Sequence, residues 1–427
     1  MQTAKNNLMK SWINILVLLS ISTLLLSKKT NATSLILLTS TALLFCLYRL
    51  YEYLKYEKIL FINNDHKKIT YAFLIFLGAS FFFYLYHSEE INFLDKPAKL
   101  IGFILVSFLL IKFPQKLNVS LISICTASVI AGCVAIYQIY YLSFPRAFDN
   151  INAIQGGDIA MSLGIFCIII CIYAAESQKR IMLFLGASGA ALGLIASFLS
   201  ASRGAWICLP LLAILILYRN RKHISFKKVL IGLLVLGFIA GVFIVKPNLS
   251  ERIHSAYNEA EMYYNGGDKK TSTGYRFELW KSAFYAWKSK PILGWGRESI
   301  KEVQKIQGKN SIIITDLYKN NFHAHNQFLE ELSTRGLVGF LAFLSLLIIP
   351  LHVFSSYRNY QNPNVRLFSD LGMVHVFLIA TYCLTQSFFA HNSGMIFYAL
   401  MVVIFYAALL KETVGKCDME EKSVQNP

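Results

Sequence analysis

Charged residues are scarce in this sequence. Asp, Glu, Lys and Arg together make up 15% of its 427 residues, whereas hydrophobic residues make up 55%. This is more apolar surface than a soluble domain buries in one core. The composition therefore excludes an ordinary soluble protein and predicts a polytopic membrane protein, in which each crossing takes about 20 mostly apolar residues. The apolar runs are too long for barrel strands, so we expect an all-α fold.

Cysteine is missing from the large polar segment at residues 247–335, and the eight cysteines lie in or beside apolar runs or in the C-terminal tail. This distribution excludes a disulfide framework, and no Cys or His spacing matches a zinc site. Acidic residues are also in the minority, which leaves a formal charge of +17. Since no basic and aromatic RNA-binding motif accompanies this charge, we expect it to set membrane topology and attract anionic lipids, and not to bind nucleic acid.

The apolar runs predict about twelve membrane-spanning helices. They are placed at residues 12–27, 34–54, 70–87, 98–113, 119–142, 157–176, 181–200, 204–218, 229–246, 336–354, 367–388 and 394–411. The predicted chain therefore has spans 1 to 9 within residues 1–246, a loop with amphipathic helices at 247–335, spans 10 to 12 within 336–411, and a tail at 412–427.

Basic residues orient the predicted bundle, because Lys and Arg in short loops are retained on the cytoplasmic side. The segments "ESQKR" and "RNRKHISFKK" alternate with poorer or acidic loops such as "HSEEINFLDKP". With an even number of spans, both termini are expected in the cytoplasm and the 247–335 loop faces outward. Lys28 and Lys29, in the first outer loop, do not follow this pattern.

The stretch "KTSTGYRFELWKSAFYAWKSKPILGWG" in the outer loop predicts a helix. Thr271, Ser272 and Thr273 offer an N-cap, and Pro291 ends the helix. Aromatic residues recur on it at spacings of three and four, namely Phe277, Trp280, Phe284 and Trp287. This stripe suits a helix on the membrane surface, and equally a helix that packs on the transmembrane bundle.

Two arginines are candidates for binding an anion. Arg276 falls in the first turn of the predicted helix, where its guanidinium and free helix N–H groups present donors to the same phosphate. Arg203, in "SASRGAW", lies in a tight outward-facing turn between the seventh and eighth predicted spans, where the charge bias disfavours a basic residue. Taken alone, Arg276 also suits a surface salt bridge, and Arg203 a contact with lipid head groups.

The stretch "NFHAHNQFLE" contains a candidate base. Asn326 is the predicted N-cap of the helix that continues into the tenth span, which places His325 at the start of that helix. Because the helix dipole disfavours an imidazolium there, we expect a neutral His325 that can accept a proton. A structural cap without chemistry is one alternative. A metal site with His323 is another, but its third ligand would have no recognisable spacing.

These motifs resemble those of a known family. "HNQFLEELSTRG", a His-Asn pair followed after nine residues by Gly, resembles the signature of bacterial O-antigen ligases. "GYRFELWKSAFYAWKSKPILGWG" and "SRGAW" resemble segments shared more widely by O-antigen ligases and polymerases. The likeness extends over most of the chain, including the large loop before the tenth span. It implies a membrane glycosyltransferase of the GT-C-like type in a Gram-negative inner membrane, with its active site facing the periplasm.

The resemblance implies transfer of O-antigen polysaccharide from undecaprenyl diphosphate to a hydroxyl of lipid A-core, in lipopolysaccharide biosynthesis, without cofactor or metal. It maps an essential histidine to His325 and two essential arginines to Arg203 and Arg276. In this scheme the arginines hold the diphosphate, and His325 deprotonates the acceptor hydroxyl for an inverting attack. Glu330, Glu331 or a backbone carbonyl is expected to orient the imidazole. The residues expected to bind substrate are Asn326, His323, Tyr275 and Trp280.

Three alternatives are left by the sequence. An O-antigen polymerase uses the same donor but extends another lipid-linked glycan, and an oligosaccharyltransferase of the same superfamily glycosylates a protein. A transporter or flippase without chemistry would place ionisable residues near the middle of the membrane, often within internal repeats. Here Asp158 and Asp370 sit near predicted span ends and no repeat is detectable, which favours an enzyme at the membrane surface.

Overall fold

The computed structural model describes residues 2–56, 63–206, 209, 247–315, 317 and 323–424, and this part of the chain is all-helical, as predicted. The helices are α1 Gln2–Ser22, α2 Lys28–Tyr56, α3 Asn64–Tyr86, α4 Lys99–Lys112, α5 Leu117–Tyr140, α6 Ala153–Glu176, α7 Arg180–Leu199, α8 Arg203–Trp206, α9 Pro247–Tyr264, α10 Ser272–Ser289, α11 Ile300–Lys309, α12 Gln327–Ser356, α13 Pro363–Cys383 and α14 Asn392–Val424. Two short 3₁₀ helices, Ile91–Leu94 and Phe388–Ala390, lie in loops.

Eight described helices are long and apolar enough to cross a membrane, and they overlap eight of the predicted spans. These helices are α2, α3, α5, α6, α7, α12, α13 and α14. The fourth predicted span coincides with α4, whose 14 residues extend only about 21 Å, short of a hydrocarbon core of about 30 Å. The first predicted span overlaps α1. The eighth and ninth fall almost entirely outside the described residues, so the count of twelve stays a prediction.

Small residues allow the central helices to pack closely. α6 is buried along nearly its whole length, and α7 packs against both α5 and α6. Gly193 of α7 lies so near α6 that a Cβ on it would stand 2.8 Å from the Cα of Gly164. Between membrane helices, where apolar surfaces gain little from leaving lipid, such close backbone approach is a main source of association. The α5–α6–α7 packing thus provides a firm support for the polar segments at its ends.

The polar segments meet at one end of this bundle. The backbone N–H of Phe389, in the loop before α14, donates to Oε1 of Gln327 at the start of α12, 3.0 Å away. The ring of His87, just after α3, is hydrogen-bonded to the carbonyl of Leu293, which follows α10. The beginning of α12 is therefore joined to α3, α10 and the loop between α13 and α14.

Helix α10 packs against α12, and most of its buried residues are small or polar. Its buried residues are Gly274, Glu278, Leu279, Ser282, Ala283 and Ala286. The predicted aromatic stripe borders this face and is partly open, with Phe284 48% exposed. Pro291 follows the helix end at Ser289, as predicted. The arrangement combines the two predicted placements, because the helix packs on the bundle while its aromatic edge faces the surroundings.

Candidate active site

Asn326 caps helix α12, as predicted. Its side-chain oxygen accepts hydrogen bonds from the backbone N–H groups of Phe328 at 3.0 Å and Leu329 at 3.2 Å. His325 directly precedes this cap and has a φ of 49°, in the left-handed region. A non-glycine residue held there carries strain on the order of 1–3 kcal/mol, and such strain is common where a side chain must be aimed at a functional site. The cap and the strained residue before it set the direction of the His325 side chain.

Glu330, in the first turn of α12, holds the segment before His325. Its carboxylate accepts the backbone N–H of Ala324 at 2.7 Å, and its other oxygen lies 3.4 Å from Nδ1 of His323. Glu331 instead pairs with Arg335 at 3.1 Å. Of the two glutamates expected to orient the imidazole, Glu330 is thus the one that bonds next to His325, through its neighbours His323 and Ala324.

The environment of His325 favours a neutral imidazole. Burial is the largest cause and the positive charge of Arg276 the next, and together they lower the pKa of His325 to about 4, against a smaller opposing effect of Glu330. Removal from water and a nearby cation both disfavour a second positive charge. These influences favour the neutral form that the sequence predicts. The main cause of the lowered pKa of His325 is burial, whereas the sequence suggested the helix dipole as the cause.

Arg276 lies just beyond the first turn of its helix, in which it was predicted. Helix α10 begins at Ser272, so Arg276 is its fifth residue. Thr271 is the N-cap, as predicted, and accepts the N–H of Gly274 at 3.0 Å. The N–H of Thr273 donates to a carboxylate oxygen of Glu259 at 2.9 Å. The N–H groups of Thr273 and Gly274 are therefore not free to share an anion with Arg276, and for these two groups the expectation is wrong. What Arg276 offers to an anion is its guanidinium.

Asp158 at the start of α6 organises the turn that contains Arg203. This buried carboxylate accepts hydrogen bonds from Oγ of Ser202, at 3.0 Å, and from the side-chain amide of Gln386. Ser202 directly precedes Arg203, the first residue of α8. The side chain of Arg203 lies outside the described part of the structure. The charge of Arg276 interacts with both Asp158 and His325. The fold thus brings together His325, Arg276 and the backbone at Arg203.

Sequence reasoning treated Asp158 only as a carboxylate near a span end. The available signal was its place in "QGGD", a charged residue that opens an otherwise uncharged apolar run. An ionisable group at such a depth is costly unless it is paired, so it generally marks a functional or structural site. Its partners Ser202 and Gln386 are 44 and 228 residues away in sequence, which hides the connection.

Helix α12 is interrupted at Gly336, ten residues after Asn326. Gly336 has φ 61° and ψ −160°, which no helix contains. The next two N–H groups turn outward: that of Leu337 donates to the carbonyl of Pro291 at 2.8 Å, and that of Val338 to Ile292 at 3.2 Å. Backbone donors released by a broken helix must find new partners when they are buried. The segment "PILGWG" supplies them.

The same segment also satisfies the carbonyl groups that the break leaves free. The carbonyl of Ser333 accepts the N–H of Trp295 at 3.1 Å, and that of Thr334 accepts the N–H of Gly296 at 2.8 Å. Four hydrogen bonds thus replace the lost helical ones. We call this pairing of residues 291–296 with 333–338 the Gly336 clamp. It joins the two motifs of the outer loop into one structural unit and fixes where the first part of α12 lies.

The remaining predicted residues lie in different surroundings. Tyr275 packs on a small apolar cluster that includes Leu279 and Leu317. Trp280 contacts Phe277, with ring centroids 5.6 Å apart. His323 lines a cavity beside Glu330, and neither Tyr275 nor Trp280 does. A substrate-binding role for these residues stays a prediction. Among the described residues, no group of three or more His, Cys, Asp or Glu is arranged to hold a metal ion.

The fold and the site together define an integral membrane protein that carries a neutral histidine, an arginine and a buried carboxylate at one end of a helical bundle. A family model described as O-antigen ligase matches residues 188–344, which include Arg203, Arg276, His325 and Gly336. An uncharacterized protein of Haemophilus influenzae is 31% identical over 397 residues, which cover 92% of this chain and 97% of that protein. This chain belongs to the O-antigen ligase family.

A more distant relative has a named activity. The ComP-specific O-oligosaccharyltransferase of Acinetobacter baylyi is 24% identical over 361 residues, 83% of this chain and 58% of that protein. Membership of the O-antigen ligase family and this likeness to an oligosaccharyltransferase both support a membrane enzyme that transfers glycosyl groups.

Proposed function

We propose that this protein is an O-antigen ligase. It transfers O-antigen polysaccharide from undecaprenyl diphosphate to a hydroxyl of lipid A-core, at the periplasmic face of a Gram-negative inner membrane. The observation that carries the proposal is that Arg276 lies near enough to His325 for its positive charge to lower the pKa of an imidazole that burial already favours as neutral. An anion-binding group and a proton acceptor side by side are what transfer from a diphosphate to a hydroxyl requires.

Arg276 and Arg203 hold the donor diphosphate in this mechanism. As the bond between the anomeric carbon and the diphosphate oxygen breaks, its electron pair leaves with undecaprenyl diphosphate. The two guanidinium groups stabilise the charge that develops there. The hydrogen bond from Ser202 to Asp158 supports this role, because it anchors the turn next to Arg203 to helix α6.

His325 takes the proton of the acceptor hydroxyl while that oxygen bonds to the anomeric carbon from the opposite face, which inverts the centre. An imidazole whose pKa is about 4 is always unprotonated near neutral pH, but it is a weak base. A diphosphate bound to Arg276 offsets the charge that depresses the pKa of His325 and so strengthens the base. The donor thereby prepares the base for the acceptor.

Transfer to a protein is the second candidate function. It is favoured by the likeness to the ComP-specific O-oligosaccharyltransferase, which extends over 83% of this chain. The same donor binding and the same base would then serve the hydroxyl of a protein side chain. The choice between the two functions depends on the acceptor, which the donor-side residues Arg203 and Arg276 do not contact in this mechanism.

A chromosomal deletion separates these functions. Lipopolysaccharide gels are run beside the extracted lipid-linked glycans and a glycoprotein blot, with the wild-type gene and His325→Ala as complementing variants. Loss of capped core together with long polymer on undecaprenyl diphosphate supports the ligase. Single repeats still attached to core, with polymer length lost, indicate a polymerase. Normal lipopolysaccharide with loss of a glycoprotein indicates an oligosaccharyltransferase. Restoration by His325→Ala contradicts the assigned base.

A further inference from the structure

The cavity that His323 lines is located beside the candidate active site. Its volume is about 60 Å³. Its walls come from α3, the loop after the 3₁₀ helix Ile91–Leu94, the start of α12 and the 3₁₀ helix Phe388–Ala390; they include Lys96, Arg297 and His323. At about 15 Å³ for each water-sized sphere, this space takes about four such groups. A space of this size fits one phosphate or carboxylate group.

The carboxylates in the wall of this cavity are already engaged. Glu331 pairs with Arg335 at 3.1 Å. Glu330 accepts the N–H of Ala324 at 2.7 Å and lies next to the ring of His323. Within the described residues neither Lys96 nor Arg297 forms a salt bridge, although the charge of Arg297 acts on Glu330 and Glu89. Both cations line a space the size of one anion.

The cavity and the donor side have different charged residues. Arg276 interacts with Asp158 and His325 and does not line the cavity. His323, two residues before His325, lines the cavity and interacts with His391. His391 in turn is close enough to Lys96 that its pKa is lowered to about 4, with burial as the main cause and His323 and Lys96 adding to it. His325 thus interacts with Arg276, which does not line the cavity, and with His323, which does.

We propose that the cavity is the acceptor subsite, where Lys96 and Arg297 bind a phosphate or carboxylate substituent of the acceptor sugar. The inference rests on the proposed function and adds the chemical class of its acceptor. An inverting attack requires the acceptor and the diphosphate to occupy different sides of the reacting carbon, and the cavity adjoins the base through His323 while Arg276 does not line it. The sugar ring lies at the cavity mouth beside His323, with one hydroxyl within reach of His325.

The surrounding helices allow donor and acceptor to approach separately. The donor side is built from α6, the turn before α8 and α10, whereas the cavity opens between α3, α12 and the loop before α14. An acceptor anchored in the membrane can then reach the site along α3 without displacing the donor. Arg335 supports this wall, since its guanidinium lies 4.7 Å from the ring centre of Phe93 and is paired with Glu331.

The test uses the purified full-length protein in vesicles of neutral phospholipid, with an undecaprenyl diphosphate-linked glycan as donor. The acceptors are lipid A-core, the same acceptor treated with phosphatase, and the same acceptor with its carboxylates amidated. The variants are Lys96→Ala, Arg297→Ala and their double variant. The double variant Lys301→Ala and Lys305→Ala is the matched control, since it removes two positive charges from α11, outside the cavity.

We expect the double cavity variant to raise the KM for the acceptor by at least about tenfold, the effect of losing one to two charge-assisted contacts. The KM for the donor and kcat should stay within about twofold, as should all constants of the control. For wild-type protein, removal of the anionic group from the acceptor should raise the KM for the acceptor by the same factor. Whether phosphatase treatment or amidation causes this rise shows whether the group is a phosphate or a carboxylate. The double cavity variant should not distinguish the acceptors.

A second measurement tests the subsite independently of the proposed ligase function. Binding of a fluorescent phosphorylated disaccharide is followed by anisotropy for wild-type protein and both double variants. If this probe needs Lys96 and Arg297 but no glycan reaches lipid A-core, the ligase proposal fails and the subsite stands. If transfer proceeds equally to charged and neutral acceptors, the subsite is overturned and the ligase stands. A change in the KM for the donor alone would assign the cavity to the donor and overturn the inference.

Discussion

The backbone N–H of Leu337 donates to the carbonyl of Pro291 over 2.8 Å, and this bond joins "PILGWG" to "HNQFLEELSTRG". It gives the nine-residue spacing between the His-Asn pair and Gly336 a structural meaning. Nine helical residues rise about 13.5 Å, so the spacing sets the distance from the cap at Asn326 to the Gly336 clamp. A fixed clamp at one end and a cap at the other hold His325 at one height relative to Arg276.

Gly336→Ala should therefore remove activity. A Cβ at this position would stand 2.3 Å from the carbonyl carbon of Ile292, and the φ of 61° is itself strained for alanine. We expect transfer to fall by at least about 100-fold together with a loss of thermal stability in detergent. Gly78→Ala on α3 is the control, because no heavy atom lies within 4 Å of its added Cβ. Wild-type transfer by Gly336→Ala would contradict the clamp.

Glu330 is predicted to act as a positioning residue for His325. Glu330→Ala leaves the N–H of Ala324 without its partner and releases the ring of His323, so we expect kcat to fall by about 10- to 100-fold. Glu330→Gln keeps an oxygen that can accept the N–H of Ala324 and should retain more activity than Glu330→Ala. The carboxylate also raises the pKa of His325, so the acid limb of kcat should move to lower pH in Glu330→Gln.

The exposed Glu302, on α11, offers the matched control, since Glu302→Gln removes the same charge away from the site. A purely structural role for Glu330 would lower the amount of folded protein without moving the acid limb. Equal activity of Glu330→Ala and wild type would show that the bonds to His323 and Ala324 do not position the base.

Local patterns in the sequence were enough to predict the caps and the base. Asn326 and Thr271 cap their helices as expected, because a capping side chain bonds to N–H groups only two or three residues away. The partners of the first N–H groups of α10 were still missed. The carboxylate of Glu259 bonds to Thr273 and belongs to the preceding helix, and a local pattern does not contain that contact.

Contacts between distant segments could not be predicted in the same way. Gln386 and Asp158 are separated by 228 residues, and their bond depends on how α6 and α13 pack. The same holds for the Gly336 clamp, where the motif indicated a required glycine but not its partner Ile292. The length of α4 was not predicted either, since its hydropathy resembles that of a membrane span, whereas its helix has only 14 residues.

Asp158→Asn should disrupt the Arg203 turn. The two carboxylate oxygens of Asp158 accept hydrogen bonds from the hydroxyl of Ser202 and the amide of Gln386. An asparagine has only one acceptor oxygen, so its NH₂ group would face one of these two donors. We expect transfer to fall by at least about 30-fold, and Ser202→Ala to cost less, about 3- to 10-fold, since one acceptor bond is lost without a new conflict. Asp149→Asn, exposed before α6, is the control. Full activity of Asp158→Asn in the same membranes would argue against a role for this carboxylate.

His325→Ala, Arg203→Ala and Arg276→Ala should each abolish transfer while the protein stays in the membrane at wild-type amounts. Arg203→Lys and Arg276→Lys should restore little activity, because an ammonium lacks the planar pair of donors that fits a diphosphate. The measurement is banding on lipopolysaccharide gels with immunoblotting of the membrane fraction. Normal banding in His325→Ala cells would overturn the assignment of the base.

The protonation of His325 should depend on the charge at residue 276. Burial and then the cation of Arg276 lower the pKa of His325 to about 4, so removal of that positive charge should raise it. Diethyl pyrocarbonate modifies the neutral imidazole, and its reaction with His325 can be followed by peptide mass spectrometry over a range of pH. We expect the midpoint near pH 4 in wild type, an unchanged midpoint in Arg276→Lys and a higher midpoint in Arg276→Gln. Inorganic pyrophosphate should raise the wild-type midpoint but not that of Arg276→Gln, because the anion offsets the charge only where Arg276 binds it. An identical midpoint in all three proteins, with and without pyrophosphate, would show that the donor does not strengthen the base.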